Sequence, residues 1–232
     1  MEIGFDLVSD LYLQPDDSFN WEGKATSLYC VIAGNVSHDL RTIVQTLSHL
    51  SKFYQGIFYT LGPLEYKNAK SKKLRTQEIT EALHLIRNVA ILHHHVVIID
   101  GIAVLGTNGW EGTTEDIGTV LVTDREENKY EDISYLSKSV EKLQRHLDVK
   151  RILIVTNAVP KNDLYFGELP AYADDQINLD YCLTNDTEFK ITHWMFGSYE
   201  KSVDTTIDGI HYINNPYYHQ RPYWAKRITI KV

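Results

Sequence analysis

Five apolar runs in this chain each stop at a short loop of Asp, Asn, Ser or Gly. The runs at 3–8, 28–33, 57–60, 151–156 and 190–195 lead into Ser9-Asp10-Leu11-Tyr12, Ala33-Gly34-Asn35, Leu61-Gly62-Pro63-Leu64-Glu65, Thr156-Asn157-Ala158 and Phe196-Gly197-Ser198-Tyr199-Glu200. Short unbroken apolar runs read as buried strands. In α/β sheets, ligands bind in the crevice beyond the carboxyl ends of the strands. The chain is therefore expected to build a buried sheet with its polar chemistry gathered at one end.

Between the runs lie helices. Leu40, Ile43, Val44, Leu47 and Leu50 share one face, so a helix capped by Ser37 is expected to reach about residue 54. A second helix is expected over about 73–87, with Ile79, Leu83 and Ile86 aligned, and a third over about 132–147. Short strands are expected at 89–92, 96–99 and 102–106, the last two joined by the hairpin turn Asp100-Gly101. Residues 107–129 are polar and Gly-rich and read as loop. Residues 157–188 read as irregular, with one short helix near 174–183. Strands at 205–207, 210–213 and 225–232 close the chain, with Asp208-Gly209 as another hairpin turn. With no internal repeat or linker, residues 1–232 are expected to form a single α/β domain of two packed sheets flanked by helices.

Charge narrows the function classes. The formal charge of −8 is unlike the basic footprint of a nucleic-acid binder, so no nucleic-acid partner is expected. The one basic run, Lys67 through Arg75, reads as the solvated start of the second helix. No apolar run approaches the roughly 18 residues of a spanning helix, and the opening MEIGFDLVSD is unlike a signal peptide, so no membrane association is expected. Cys30 lies within an apolar run, and neither it nor Cys182 belongs to a CxxC or Cys/His metal spacing. This suits a reducing compartment, and a cytoplasmic location is expected.

The order of the five loops resembles the calcineurin-like metallophosphoesterase family. Its consensus blocks are an S-D-x-H loop, a G-D loop, a G-N-H-E loop, a T-H loop and a G-H-x-H loop. VLGTNGW, from Val104 to Trp110, is similar to the family's following strand, and Ile213-Asn214-Asn215-Pro216 to its closing "NP" stretch. The resemblance covers nearly the whole chain. It implies two stacked mixed β-sheets flanked by helices, a four-layer αββα sandwich.

The resemblance also implies a metal site, and here the chain departs from it. Asp10 matches the family's first ligand. Tyr12 stands in place of the first histidine, and Asn35 in place of the bridging Asp. Pro63 and Leu64 replace the Asn ligand and the histidine that protonates the leaving group; Asn157 replaces the T-H histidine; Ser198 and Glu200 replace the last two. Two dications roughly 3.5–4 Å apart need negative charge between them. Asn35 brings none, and the expected imidazoles are absent. Leu64 cannot act as a general acid, a role worth on the order of 10²–10⁴ in rate.

The first expectation is thus a pseudoenzyme that binds a protein partner or its own copy, with no cofactor. Such a chain would not be out of place in a viral genome, and would then act in the host cytoplasm. The alternative is a divergent metal-dependent phosphoesterase. Its rebuilt oxygen site would gather Asp10, Asn35, Asn157 and Glu200 around one Mg²⁺, Mn²⁺ or Ca²⁺. The plainer reading of these four residues is hydrogen bonding that closes loops. A third class, a phosphate or nucleotide binder without catalysis, is disfavoured by the acidic balance. His93-His94-His95 reads as a polar hairpin tip, His38-Asp39 as helix capping, and the Tyr212, Tyr217, Tyr218, Tyr223, Trp224 group as sheet packing or an interface.

Overall fold

The structure, a computed structural model, describes residues 1–17, 19–109, 125–166, 179–217 and 223–232. Trp110, Gly167, Pro170, Tyr218 and the first part of the helix expected near 174–183 lie outside the described residues.

Among the described residues the strands form two sheets. The first contains β1 (Glu2–Val8), β2 (Tyr29–Ala33), β3 (Gly56–Thr60), β4 (Val89–Ile91) and β11 (Lys226–Lys231), in the order β11-β1-β2-β3-β4. The second contains β5 (His95–Ile99), β6 (Ile102–Thr107), β7 (Arg151–Thr156), β8 (Ile191–Phe196), β9 (Asp204–Ile207) and β10 (Ile210–Asn214), in the order β5-β6-β7-β8-β10-β9. The inner pairings are parallel. The antiparallel members are β11, β5 and β9, each at an edge. Asp100-Gly101 and Asp208-Gly209 form the two expected hairpin turns, with positive φ at both central residues, as type I′ turns require.

Alternation along each strand divides the apolar side chains between two layers. Phe5, Leu7, Val31 and Phe58 meet Val104, Leu153, Val155, Met195 and Ile213 between the sheets. The opposite faces take helices. On the first sheet Ile32, Ile57 and Tyr59 pack with Ile43, Leu47 and Leu50 of α1 (Leu40–Leu50) and Ile79 and Leu83 of α2 (Lys72–Leu83). On the second, Ile152, Ile154, Trp194 and Phe196 pack with Leu136, Val140 and Leu143 of α3 (Arg125–Gln144). This is the αββα sandwich. Strands covered on both faces account for the unbroken apolar runs.

Several expected boundaries shift. The N-cap of α1 is Asp39, whose carboxylate accepts from Thr42 N at 2.7 Å. Ser37 is buried two residues earlier and donates to Leu13 O at 2.7 Å. Helix α3 begins at Arg125, inside the stretch expected as loop. Polar residues there do not exclude a helix: Glu127 and Tyr130 of its first turns are exposed while Asn128 is buried. A 3₁₀ helix, Leu179–Asn185, covers the described part of the later expected helix.

The histidine run is not a hairpin tip. Strands β4 and β5 belong to different sheets, so His93 and His94 lie on a crossover and His95 opens β5. His94 Nε2 hydrogen-bonds the buried Asp132 at 2.6 Å, and its ring stacks on His93 and Tyr135 with centroids 4.7 Å away in both cases. Burial pushes the His93 pKa down to about 4. Of the C-terminal aromatics, Tyr212, Tyr217 and Tyr223 pack into the core, while Trp224 is exposed. No helix among the described residues is long and apolar enough to cross a membrane.

Candidate functional site

At the carboxyl ends of β1, β2, β7 and β8 the chain turns sharply. Asp10 (φ 55°), Tyr12 (48°), Asn35 (57°) and Ser198 (56°) all sit in the left-handed region, which Asp and Asn tolerate best. The turned loops then bond one another. Asp10 N donates to Gly34 O at 3.1 Å, Tyr12 N to Asn35 O at 3.0 Å, and Gly197 N to Asn157 O at 3.0 Å.

These turns bring four of the sequence-identified side chains together around Asn35. Its amide nitrogen faces Asp10 Oδ1 at 2.9 Å, Tyr12 Oη at 3.2 Å, Ser198 Oγ at 3.3 Å and Asn157 Oδ1 at 3.5 Å. Ser198 Oγ donates to Asn157 Oδ1 at 2.8 Å, and Ser198 N donates to Asp10 Oδ1 at 3.0 Å. The amide orientations are fixed from outside. Asn35 Oδ1 accepts from Leu64 N at 3.1 Å, and Asn157 Nδ2 donates to Ala33 O at 2.7 Å. Flipping either amide would set donor against donor or acceptor against acceptor. The Asn35 NH₂ group is thus lodged among side-chain oxygens from three other loops.

The fit is tight. A Cβ on Gly34 would lie 2.5 Å from Asn157 Nδ2, and one on Gly62 would collide with Asn35 Oδ1. Gly62 has an ordinary negative φ, so its requirement is purely one of space.

A residue that sequence reasoning misses holds the loops together. Glu65 is fully buried. Its Oε2 accepts from Asn35 N at 3.1 Å and Gly62 N at 2.8 Å; its Oε1 accepts from Val36 N at 2.6 Å and the Tyr59 hydroxyl at 2.8 Å. Burial outweighs these four donors and lifts its pKa to about 7. The one signal for it in the sequence is its place as the last residue of the loop matched to the G-N-H-E block. Burial likewise raises Asp10 to about 6, against the opposing bond from Asn35.

Not every expected residue converges. Pro63 is buried and Leu64 contributes its backbone N–H. Glu200 is exposed, and none of the cluster's hydrogen bonds reaches it. The expected four-residue oxygen set is therefore incomplete: Glu200 is outside it, and Asn35 presents hydrogens rather than oxygen. Asp10 Oδ2 and the adjacent Ser9 hydroxyl are both buried without a hydrogen bond of good geometry, and that hydroxyl opposes the effect of burial on Asp10. Hard cations take about six oxygens or more, and a two-metal centre needs an anion between the ions. The side chains as arranged do not fit either. Among the described residues no group of three or more His, Cys, Asp or Glu is placed to hold a metal.

Two residues of the closing stretch singled out by the resemblance are structural. Asn214 Oδ1 accepts from Val203 N at 2.6 Å, and its Nδ2 donates to Tyr199 O and Lys201 O, both at 3.0 Å. Asn215 Nδ2 donates to Leu7 O at 2.8 Å and Trp224 O at 3.0 Å. The closing segment thus stitches the strand-end loops into place.

No protein-family profile matches the chain, and no curated protein matches it. Solved structures do. The phosphopantetheinyl hydrolase PptH of Mycobacterium tuberculosis superposes with a TM-score of 0.61 at 13% identity, over 97% of this chain and 95% of that one. A Staphylococcus aureus protein described as a putative 5′-nucleotidase superposes with a TM-score of 0.59 at 13% identity, over 100% of this chain and 51% of that one. The fold is that of the metallophosphoesterases.

Proposed function

We propose that this chain uses the metallophosphoesterase fold as a non-catalytic scaffold, a pseudoenzyme that acts by binding a protein partner or a second copy of itself in the cytoplasm. One observation carries the reading: the Asn35 amide nitrogen occupies the centre of the strand-end oxygens, where the resemblance calls for a bridging carboxylate. A neutral amide with two hydrogens to give puts no negative charge there to hold paired dications. Leu64 offers no proton to a leaving group, and Asn157 and Ser198 are already bonded to each other. Fold persists where chemistry does not, because the core and the site draw on different residues.

A second reading has a specific observation in its favour. The buried Asp10 Oδ2, without a hydrogen bond of good geometry, is the kind of atom a cation would take. It would belong to a divergent phosphoesterase whose oxygen-ligand site is built on Asp10 and Asn157, with the Asn35 amide turned to present its oxygen and Glu200 outside the set. One experiment separates the two. The purified protein is analysed for metal content and assayed with p-nitrophenyl phosphate and bis-p-nitrophenyl phosphate plus Mn²⁺. The scaffold reading expects no stoichiometric metal and no turnover above that of Asp10→Ala. Metal at one or more equivalents, with turnover lost in Asp10→Ala, would overturn it. Light scattering then tests self-association.

A further inference from the structure

The basic run Lys67 through Arg75 is more than a solvated helix start. It wraps a concavity of about 410 Å³ beside the loop that carries Leu64 and Glu65. His38, two residues beyond Val36, forms one wall and the first turns of α2 the other. Three cations border the hollow: Lys67, Lys70 and Arg75. Glu78 is the one acid on its rim.

These cations differ in how they are held. Arg75 is fixed: Nε donates to Glu65 O at 2.8 Å, Nη2 to His38 O at 2.6 Å, and Nη1 pairs with Glu78 at 3.2 Å. A pre-set guanidinium loses little side-chain entropy on binding an anion. Lys67 and Lys70 are exposed, and among the described residues no ion pair engages either. Lys72, next in the run, is paired with Glu131 at 3.1 Å, as Arg75 is with Glu78. In a chain of charge −8, Lys67 and Lys70, which no ion pair among the described residues engages, make a local positive hollow beside the Glu78-paired Arg75.

The hollow also has an apolar side. Ala69 and Leu74 line it, and Leu74 is 58% exposed although α2 has a buried face available. The volume lies within the roughly 300–1,000 Å³ of small-molecule sites. We propose that this concavity binds a small soluble phosphate ester, its mono- or diphosphate held by Lys67, Lys70 and Arg75 and its organic body against Leu74 and Ala69. The site is separate from the Asp10–Asn35 cluster and needs no catalysis. It would let a phosphorylated small molecule report to the loop that Glu65 and Arg75 share.

Calorimetric titration of the full chain at low ionic strength, with pyrophosphate and with ADP as probes, tests this. Saturable one-to-one binding of both is expected. The surface variant Lys67→Gln/Lys70→Gln should weaken both by roughly ten- to thirtyfold, from about fivefold per exposed charge pair. Leu74→Ser should weaken ADP by about threefold and leave pyrophosphate unchanged. Lys138→Gln/Lys142→Gln on α3 should change neither. Three results would overturn the proposal: no saturable binding of either probe, a lysine variant no weaker than the α3 control, or tighter capture by phosphoinositide vesicles than by ADP. Equal loss of both probes in Leu74→Ser would overturn the placement of the organic body.

Discussion

The side-chain nitrogen of Asn35 lies 2.9 Å from Asp10 Oδ1, closer than any other oxygen around it, while the Asn35 oxygen is held by Leu64 N–H at 3.1 Å. The pair is therefore donor against acceptor by construction, and the consequences follow from changing either side.

Asn35→Asp puts two buried carboxylates in contact. In chelator the variant should lose about 2–4 kcal/mol, the cost of a like-charge contact and of the two hydrogens the Asn35 amide gave the cluster. The same change supplies the missing anion. Thermal unfolding with and without millimolar Mn²⁺ should show the variant stabilised and the parent unmoved; equal shifts in both would refute the role assigned to the amide.

Asp10→Asn keeps the Oδ1 acceptor and removes a buried charge. The folded carboxyl titrates near 6, against 3.8 for an ordinary aspartate. Between those values the folded state binds more protons, so this group's contribution falls as pH rises through that window and is flat above it. The contribution at stake is about 3 kcal/mol at most. The variant should be about 1–3 kcal/mol more stable than the parent at pH 8 and no more stable at pH 4. A variant-minus-parent difference that does not shrink on acidification in urea melts would count against the assignment.

Glu65→Ala should be the most damaging single change near the site. It strands three backbone N–H groups and the Tyr59 hydroxyl in a buried setting. About 3–5 kcal/mol of stability should be lost, read as a shift in denaturation midpoint with little change in slope. A loss under about 1 kcal/mol would mean that water replaces the carboxylate and the loops are not held as described.

Gly62→Ala isolates space from conformation, since its backbone needs no glycine but its Cβ would strike Asn35 Oδ1. Overpacking of this kind costs about 1–3 kcal/mol. The amide signals of Asn35 and Leu64 should move in ¹⁵N spectra; unshifted signals would place the crowding elsewhere.

The sandwich is legible in the sequence because burial on both faces turns each inner strand into an unbroken apolar run. The strand-end cluster is legible in its membership, since Asp10, Asn35, Asn157 and Ser198 each follow such a run. What no pattern carries is direction. Whether Asn35 shows oxygen or nitrogen to the cluster depends on Leu64 N–H, 29 residues away. Glu200 stands two residues from Ser198, yet it is exposed at the surface. The histidine run misleads because β4 pairs with β3 and β5 with β6, and local sequence does not say that neighbours part to different sheets. Ser37 and Asp39 are both capping types, and only the fold shows that Leu13 claims the first.

A single carboxylate, Glu65, holds the amides of Asn35 and Val36 after β2 and of Gly62 after β3. None of these protons can meet solvent until that acceptor is displaced, and displacing it frees all three. In native-state hydrogen exchange they should share one opening free energy and one dependence on denaturant, so that two loops far apart in the chain breathe as a single unit.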